Sequence, residues 1–575
     1  MAAGVREKLA EAFAPAVPLE PAELAALFER PPDPAMGDYA LPCFRLARTM
    51  KSAPQKIAAE VAEKVAPGGL VASVEAAGPF VNVRVDRGAL ATGVLGRVVA
   101  AGDSYGSSNA GAGRTVIVEY SSPNIAKPFS IGHLRSTILG HALAELHEAL
   151  GWKVIRINFP GDWGTQFGMM ITAFRRWGEE AALEAGGVGY LVDLYVKANA
   201  EAKNDATIEA DARAAFRELE EGAPEATGIW KRFHAASMKE FGAIYERLGV
   251  RFDVMSGESV HNERLEPLVE RYREAGLALE SEGALVVEME DGDLARGEDA
   301  AGPPCMLVKS DGGSTYATRD LAAAIFRAGE YGFDRMLYVV GADQKLHFRQ
   351  VFRALERLGM EWASKCVHVD FGLVRFGSAK MSTREGNVVL LEEVLGRSVE
   401  LAGGVIEEKN SDLADRAAAA EAVGVGAVKF ADLCRKRSKD VSFDWDEILR
   451  FDGETGPYLQ YTHARLASIL RKGGAAQPAP DADLSVLTEP EEAAVVMLLE
   501  EFGERLGEAA EQCEPYIVAN YLLALAGTTN RFYNNHRVIG SGGEVEKARL
   551  VLTWAAKTVI GRGLAMLGLV ALEEM

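Results

Sequence analysis

The sequence has little of what marks membrane, secreted or metal-binding proteins. It contains no apolar run near the ~18 residues of a membrane span, so we expect no membrane partner. Glu7 and Glu11 stand where a secretion signal needs an apolar core, which predicts a cytoplasmic protein. The five cysteines lie far apart without a Cys-x-x-Cys pair, and no histidine pairs with a cysteine at zinc-finger spacing. These spacings favour free thiols in a reducing compartment and predict no zinc or other metal site.

Positive charge is scarce as well. The 575-residue chain has 62 Lys and Arg against 83 Asp and Glu, which gives a formal net charge of −21. This balance argues against a generic basic nucleic-acid or membrane-surface binder, but it leaves room for a local basic face. A hydrophobic content of 48% is ordinary for a globular protein, and the length predicts several domains with cores of their own.

The apolar pattern and the linkers divide the chain into three parts. Residues 1–112 form a small unit with helices over Glu20–Arg30 and Pro54–Val65 and a strand over Gly78–Val85, and a Gly- and Ser-rich stretch closes it. Residues 113–400 form the second part, with a charged helical insertion near residues 173–300. From about Leu401 to residue 575 the chain is predicted to be helical.

The second part opens with the pattern of a parallel α/β sheet. Thr115–Ser122 and Lys153–Phe159 are short runs rich in β-branched residues, which predicts buried strands. Between them lies an amphipathic helix from about Ile131 to Leu150. A strand, a helix and a second strand in this order are typical of a parallel sheet covered by helices.

A phosphate-binding site is predicted where the first strand leads into this helix. Gly132 and His133 lie at the helix start, where unpaired N–H groups and the positive end of the helix dipole attract anions. Lys127 adds a cation just before them. Taken alone, the Gly-His pair is explained more simply as a strand–helix turn with an incidental histidine.

A second polar segment, Phe376–Val389, has the composition of a loop that closes over a polyphosphate. Its sequence FGSAKMSTREGNVV surrounds two cations, Lys380 and Arg384, with small residues, and Met381 and Ser382 lie between them. Taken alone, a solvated basic turn is again the simpler interpretation.

Together the two segments resemble the HIGH and KMSKS signatures of class I aminoacyl-tRNA synthetases. Longer strings, in the same order along nearly the whole chain, are similar to the arginyl-tRNA synthetase family: SSPNIAKPFSIGHLRST, NFPGDWGTQFG, SDGGSTYATRDLAAA, VGADQKLHFRQVF, KMSTREGN and TGPYLQYTHARL. This resemblance implies a Rossmann-like, doubly wound parallel-sheet catalytic domain. It also implies an α+β N-terminal domain and an all-α C-terminal anticodon-binding domain.

Two positions depart from the signatures. Ser130 replaces the first histidine of HIGH; a hydroxyl can bind a phosphate oxygen, but it carries no positive charge. Thr383 replaces the second lysine of KMSKS, which the family often lacks, and a lysine just before HIGH is thought to substitute for it. Lys127 occupies that place.

The resemblance implies roles for individual residues. The implied catalytic groups are Lys127, His133, Lys380 and Arg384. The implied ATP-binding residues are Ser130, Gly132, His133, His347, Lys380, Met381 and Ser382. The implied arginine-binding residues are Glu119, Asn124, Tyr316, Asp320 and Gln344, with negative charge from Glu119 and Asp320. Such a pocket suits a guanidinium, which is planar and always charged. For Asp320, a helix N-cap or a partner for Arg319 is an equally good interpretation.

The implied reaction has two steps. Arginine attacks ATP, with Mg²⁺, to give arginyl-adenylate, and the arginyl group then passes to the terminal ribose of tRNA(Arg). As in the family, tRNA is expected to be required for the first step. We expect a monomer.

Transfer RNA also needs basic and aromatic contacts. The densest basic run contains Arg435, Lys436 and Arg437, and by resemblance Tyr458 and Tyr461 stack on the anticodon loop. The alternative is that these tyrosines, three apart, are core residues of one helix. The segment Gly37–Cys43 resembles part of the family's N-terminal domain, which contacts the outer corner of tRNA.

Two other functions remain open at this point. One is an adenylating nucleotidyltransferase that uses the same nucleotide site on a different acid. The other is a catalytically inactive, synthetase-like RNA-binding protein, for which Ser130 is the main indication.

Overall fold

The computed structural model describes residues 4–289, 303–375, 389–442, 444–475, 477–479 and 481–575. It begins with a small α+β unit. Its elements are α1 (Val5–Phe13), α2 (Pro21–Leu27), β1 (Tyr39–Pro42), α3 (Ala47–Met50), α4 (Pro54–Lys64), β2 (Val71–Ala77), β3 (Phe80–Val85) and α5 (Arg87–Ala101). The three strands form an antiparallel sheet in the order β1-β3-β2.

The α+β class predicted for this unit is confirmed, and three of its elements were predicted. The helices expected over Glu20–Arg30 and Pro54–Val65 are α2 and α4, and the strand expected over Gly78–Val85 is β3. Strands β1 and β2 were missed. β1 is only four residues long, and most residues of β2 are small or charged and exposed, so neither carries the alternation of a half-buried strand.

The middle of the chain is built around a five-stranded parallel sheet. Its elements are β4 (Thr115–Glu119), α6 (Ile131–Ala149), β5 (Lys153–Asn158), α7 (Gln166–Trp177), α8 (Glu180–Glu201), α9 (Ala206–Glu220), α10 (Pro224–Leu248), β6 (Val254–Met255), α11 (Asn262–Glu274), β7 (Ala278–Ser281), β8 (Ala284–Val287), β9 (Cys305–Val308), α12 (Tyr316–Tyr331), β10 (Arg335–Gly341), α13 (Lys345–Arg357), β11 (Cys366–Phe371) and β12 (Val374–Arg375).

The order of the strands locates the functional edge of this sheet. The order is β11-β10-β4-β5-β6. The central strand β4 therefore pairs with β5, the next strand of this sheet in the chain, on one side. On its other side it pairs with β10, which comes much later in the chain. In an open parallel sheet, ligands bind beyond the carboxyl ends of the strands where the strand order reverses. The loop after β4 and the turn after β10 both lie at this edge.

The predicted helical insertion near residues 173–300 contains strands as well as helices. Helices α7 to α11 occupy it as far as Glu274, apart from the short β6. Beyond Glu274, β7 and β8 form a small antiparallel sheet with β9, so the range is not helical throughout. Glu282 and Gly283, which join β7 to β8, both have positive φ, as a two-residue hairpin turn requires.

The last part consists of long helices. Its elements are α14 (Leu391–Lys409), α15 (Arg416–Leu433), β13 (Val441–Ser442), α16 (Trp445–Ile448), α17 (Gly456–Lys472), α18 (Pro490–Gln512), α19 (Tyr516–Asn535) and α20 (Gly543–Met566). Helix α18 carries an apolar stripe that is part of the core; its fully buried members are Val495, Val496, Leu499, Phe502 and Leu506.

The first and last parts of the chain contact each other along α18. Arg6 pairs with Glu504 at 2.9 Å, Arg30 pairs with Glu501 at 3.0 Å, and Arg97 pairs with Glu500. Three arginines of the N-terminal segment therefore face one acidic side of α18. Within the described ranges, no helix is long and apolar enough to cross a membrane.

Close packing of α6 on the sheet depends on Gly140. A Cβ at this position would overlap the buried side chain of Tyr120, which follows β4. We expect Gly140→Ala to destabilise the protein by about 1–3 kcal/mol through overpacking. The control Gly404→Ala, in the open middle of α14 with no atom within 4 Å, should instead stabilise by up to about 1 kcal/mol. Thermal denaturation should show shifts of opposite sign, and equal shifts would contradict this packing.

Candidate functional site

The loop from β4 to α6 carries three non-glycine residues with left-handed backbone. Ser121, Ser122 and Ala126 have φ values of 71°, 45° and 57°. Such conformations cost about 1–3 kcal/mol each and tend to occur at functional sites, where the surrounding structure holds them. This loop, residues 120–130, carries Asn124 and Lys127, and we call it the β4–α6 loop.

Neighbouring elements hold the first half of this loop. The N–H of Ser121 donates to Ser136 Oγ at 2.9 Å, and the N–H of Ser122 donates to Asn158 Oδ1 at 3.1 Å. Asn124 lies against Gly161, whose missing side chain leaves room for the asparagine amide. The amide of Asn124 therefore has a defined place beside the turn that follows β5.

The start of α6 brings Lys127, Ser130, Gly132 and His133 together. Ser130 is the N-cap of the helix, and its N–H donates to His133 Nδ1 at 3.1 Å. Because Nδ1 accepts this bond, the proton of a neutral His133 ring lies on Nε2. Burial, together with the smaller effect of the nearby Lys127 charge, lowers the pKa of His133 to about 4, although the hydrogen bond with Ser130 opposes this. His133 can therefore act as a neutral hydrogen-bond donor, while Lys127 supplies the charge.

The second predicted segment falls largely outside the described residues. Lys380, Met381, Ser382 and Arg384 all belong to residues 376–388, of which the structure describes none. Both flanks are placed, however. Strand β12 pairs with β13 before the gap; after it, Val389 O accepts from the N–H of Ile131 at 3.0 Å. The chain thus returns from the second segment directly beside the start of α6.

Asp320 contacts a histidine rather than capping a helix. The N-cap of α12 is Thr315, and Asp320 lies inside the helix with its carboxylate 2.5 Å from His347 Nε2. Arg319 pairs with Glu258 instead. Both alternatives considered for Asp320 are therefore wrong, and two predicted site residues, Asp320 and His347, are in direct contact.

The negative charge of Glu119 is compensated within the protein, which the sequence did not predict. Glu119 ends β4 and forms a buried ion pair with Arg327 of α12. Burial raises the pKa of Glu119, whereas the Arg327 guanidinium lowers it. The negative charge expected of Glu119 is thus shared with a protein cation.

Glu258 is a site residue that sequence reasoning missed. It follows β6, and burial, together with the charges of Asp320 and Asp162, raises the pKa of Glu258 to about 8 although Arg319 opposes this. Arg319 Nε is 3.7 Å away, and among the described contacts Glu258 Oε2 has no hydrogen-bond partner. A glutamate just beyond a strand at the carboxyl edge of a parallel sheet was the available signal.

Asp162 has a structural role in the same region. Its carboxylate accepts from the N–H of Ser259 at 2.8 Å and from the Ser259 hydroxyl at 2.7 Å. Asp162 therefore holds the chain just after Glu258 in place.

A cavity of about 1000 Å³ lies between the insertion and the start of α12, and Arg319, the partner of Glu258, is part of its wall. Trp163, Phe216, Tyr316 and Arg319 contribute to its lining, and Tyr316 is 69% exposed. Gln344 lies after β10, exposed, with its Nε2 3.3 Å from Asp343. Ring and polar groups therefore surround a space large enough for an extended ligand.

The predicted tRNA-binding residues come later in the chain than those that line the cavity. They differ in exposure and in how far other side chains compensate their charge. Arg437 pairs with Asp370 at 2.8 Å and with Glu514 at 3.6 Å, so much of its charge is compensated within the protein. Lys436 is exposed beside the ring of Tyr516, and Arg435 is half-buried. Lys436 is thus the member of the run most open to a phosphate.

Tyr458 and Tyr461 are half-buried on α17. The hydroxyl of Tyr458 accepts from Asn530 Nδ2 at 2.8 Å, and the hydroxyl of Tyr461 accepts from Arg465 at 2.7 Å. The Arg465 guanidinium lies over the rings of both Tyr461 and Tyr533, at 4.6 Å and 5.4 Å. The pair is therefore neither pure core nor fully exposed.

The titration of His133 can be tested. Because its pKa is about 4 in the folded protein and 6.5 as a free side chain, the unfolded chain binds a proton first as the pH falls. The contribution of His133 to stability should therefore decline from about pH 6.5 to pH 4. We expect thermal denaturation at several pH values to show a smaller decline in His133→Gln than in the wild type. A histidine resonance that titrates near pH 6.5 in the folded protein and disappears in His133→Gln would show the opposite.

Three family models match the chain. They are the class I tRNA synthetase (R) catalytic domain over residues 95–445, the DALR anticodon-binding domain over residues 459–575, and the arginyl-tRNA synthetase N-terminal domain over residues 3–85. Together they cover most of its length.

Whole-chain relatives agree with these models. The arginine–tRNA ligase of Clostridium perfringens is 45% identical over 571 residues, which is 99% of this chain and 100% of the relative. That of Clostridium botulinum strain Alaska E43 is 44% identical with the same coverage. The arginyl-tRNA synthetase of Thermus thermophilus has a TM-score of 0.81 at 27% identity, and the match covers 99% of this chain and 100% of that one. The chain therefore belongs to the arginine–tRNA ligases, which are class I aminoacyl-tRNA synthetases.

Proposed function

We propose that this chain joins L-arginine to tRNA(Arg) in two steps. ATP and arginine first form arginyl-adenylate and diphosphate, and the arginyl group then passes to the 3′-terminal ribose of the tRNA with release of AMP. The observation that carries the proposal is the placement of the His133 helix start and the Asp320 carboxylate at one edge of the parallel sheet. One edge thereby offers donors for phosphate and acceptors for a guanidinium.

The first step needs no nucleophile from the protein. The carboxylate of arginine attacks the α-phosphorus of ATP, and negative charge develops on the phosphate oxygens. His133 Nε2–H can donate to these oxygens, and Lys127 adds positive charge. Ser130 orients His133, and Gly132 lets a ligand approach the backbone closely.

Further ATP contacts come from residues outside this first turn. We propose that His347 contacts the nucleotide, together with Lys380, Met381 and Ser382, and that Lys380 and Arg384 stabilise the leaving diphosphate. The return of the chain beside Ile131 supports the placement of their segment near the phosphates.

Mg²⁺ is expected to accompany ATP. In the described ranges no group of three or more His, Cys, Asp or Glu side chains is arranged to hold a metal ion. Mg²⁺ commonly keeps water and substrate phosphates as ligands, so we propose that the phosphates of ATP hold it rather than a protein cage.

The arginine pocket is proposed to lie between Asp320 and Glu258. The raised pKa of Glu258 reflects burial and like charges, and a guanidinium between the two carboxylates would favour their ionised forms. Tyr316 would pack on the side chain of the substrate. Asn124 and Gln344 would hold its amino and carboxyl groups, and Glu119 lines the site with its charge shared with Arg327.

The tRNA is proposed to lie along the basic run and the C-terminal helices. Lys436 and Arg435 would contact phosphates, with a smaller part for Arg437, and Tyr458 and Tyr461 would contact the anticodon loop. Their partial exposure beside Arg465 supports stacking on unpaired bases. The segment Gly37–Cys43 would contact the outer corner of the tRNA.

We further propose a cytoplasmic monomer with the three parts divided at residues 112 and 400. All five cysteines are free thiols, which suits a reducing compartment. The arginine–glutamate pairs along α18 join the first and last parts within one chain.

The pocket assignment predicts a specific defect. Asp320→Asn should raise the KM for arginine about 100-fold or more, because a buried charge pair with the guanidinium is lost. The KM for ATP should change by less than about threefold. Asp311→Asn, the same substitution on the wall of the cavity, is the control. Aminoacylation assays with labelled arginine measure both constants, and an unchanged arginine KM in Asp320→Asn would remove Asp320 from the pocket.

We expect the activation of arginine to require tRNA. Diphosphate exchange into ATP should require arginine and tRNA together and should be negligible without tRNA. Full exchange without tRNA would contradict this requirement. Tight tRNA binding with neither exchange nor aminoacylation would identify an inactive RNA-binding protein.

A further inference from the structure

Helix α10 of the insertion lies along the β4–α6 loop. Its residues Ser237, Phe241 and Tyr245 are four apart and therefore share one face of the helix. Phe241 and Tyr245 both pack edge-on against the ring of Phe129, with ring centroids 5.6 Å and 5.7 Å away. The hydroxyl of Tyr245 also lies 2.8 Å from Ser121 Oγ. One face of the insertion thus contacts both ends of the loop.

Ser237 contacts the loop at Ala126. Its hydroxyl oxygen accepts from the N–H of Ala126 at 2.8 Å, and its own proton goes to Phe233 O at 2.8 Å. Ser237 is fully buried, and Ala126 is 7% exposed. Without Ser237, this N–H would be a buried donor without its acceptor, which is costly.

The backbone conformation of Ala126 determines the direction in which the chain presents Lys127. Residue 125 before Ala126 is held by a hydrogen bond from the Ile125 N–H to Gly161 O at 3.1 Å, and Phe129 after it accepts from Leu391 at 3.0 Å. Between these anchors, Ala126 has a φ of 57°, which an alanine adopts only under constraint. Lys127 lies close enough to His133 to lower the pKa of its imidazole. A change to right-handed backbone at Ala126 would redirect the side chain of Lys127.

We propose that Ser237 is a positioning residue for adenylate formation: through the N–H of Ala126 it holds the left-handed turn that directs Lys127 toward the His133 helix start. This assigns a role to the helical insertion. It rests on the proposed function of Lys127 as a cation for the phosphates of ATP.

The test uses the full chain with saturating tRNA and measures diphosphate exchange. Ser237→Ala should lower kcat by about tenfold or more, in line with the loss expected from misplacing a catalytic group, and leave the arginine KM within about threefold. The control is Ser398→Ala, an equally buried serine whose hydroxyl joins α14 to α15 through Gly424 O at 2.8 Å. Its kcat should stay within about twofold of the wild type.

A double-mutant cycle separates positioning from a general structural defect. If Ser237 acts through Lys127, then Ser237→Ala should have almost no further effect on kcat in the Lys127→Met background. Losses that multiply in the double variant would overturn the proposal. Ala126→Gly should restore several-fold of the lost kcat in the Ser237→Ala background, because glycine adopts positive φ without strain. No restoration would indicate a packing defect in α10 instead.

The outcomes also distinguish this proposal from the function on which it rests. A normal kcat in Ser237→Ala with a lowered kcat in Lys127→Met would remove only the role of Ser237. A normal kcat in Lys127→Met would remove the proposed role of Lys127 and, with it, that of Ser237.

Discussion

The buried ion pair of Arg135 and Asp432 joins the parts of the molecule that must act together. Arg135 lies two residues after His133 on α6, and its Nε is 2.8 Å from a carboxylate oxygen of Asp432 on α15. Both side chains are fully buried, and the same guanidinium donates to Lys439 O at 2.8 Å. Losing one partner of such a pair costs about 3–5 kcal/mol, because the other charge stays buried.

This pair also connects the two signature segments. Lys439 immediately precedes the connection to β13, which pairs with β12, the strand that ends where the second segment begins. The helix that carries His133 and the strand that leads to Lys380 are therefore both attached to the end of α15. The basic run from Arg435 to Arg437 lies between these attachments.

A second buried charge on α15 extends the connection to the C-terminus. Lys429, one turn before Asp432, donates to Leu248 O at 2.8 Å and to Gly568 O, which lie just at or past the ends of α10 and α20. Burial lowers the pKa of Lys429 to about 7, while carbonyls at helix ends favour its ammonium form. The insertion, α6 and the end of α20 thus all contact α15.

Elements with a strong local pattern were predictable. The strand at Thr115, the helix at Ile131 and the strand at Lys153 are β4, α6 and β5 within a few residues, because β-branched runs and helical periodicity are local properties. The hairpin of β7 and β8 was missed, since Glu282 and Gly283 are a weak turn signal inside a charged segment. The spacing of the signature strings likewise pointed to the family without any contact being known.

The contacts of the candidate site residues could not be predicted from the sequence, because they depend on which strands and helices become neighbours. Residues 119 and 327 approach each other only after β10 has paired with β4 across more than two hundred residues of chain, and residues 320 and 347 only after α12 has packed against α13. Long-range packing also brings Glu258 to Arg319 and Ser237 to the backbone of Ala126. Residue types and their order therefore identified the chemistry, whereas long-range packing settled which charges are compensated and which side chains hold the loop.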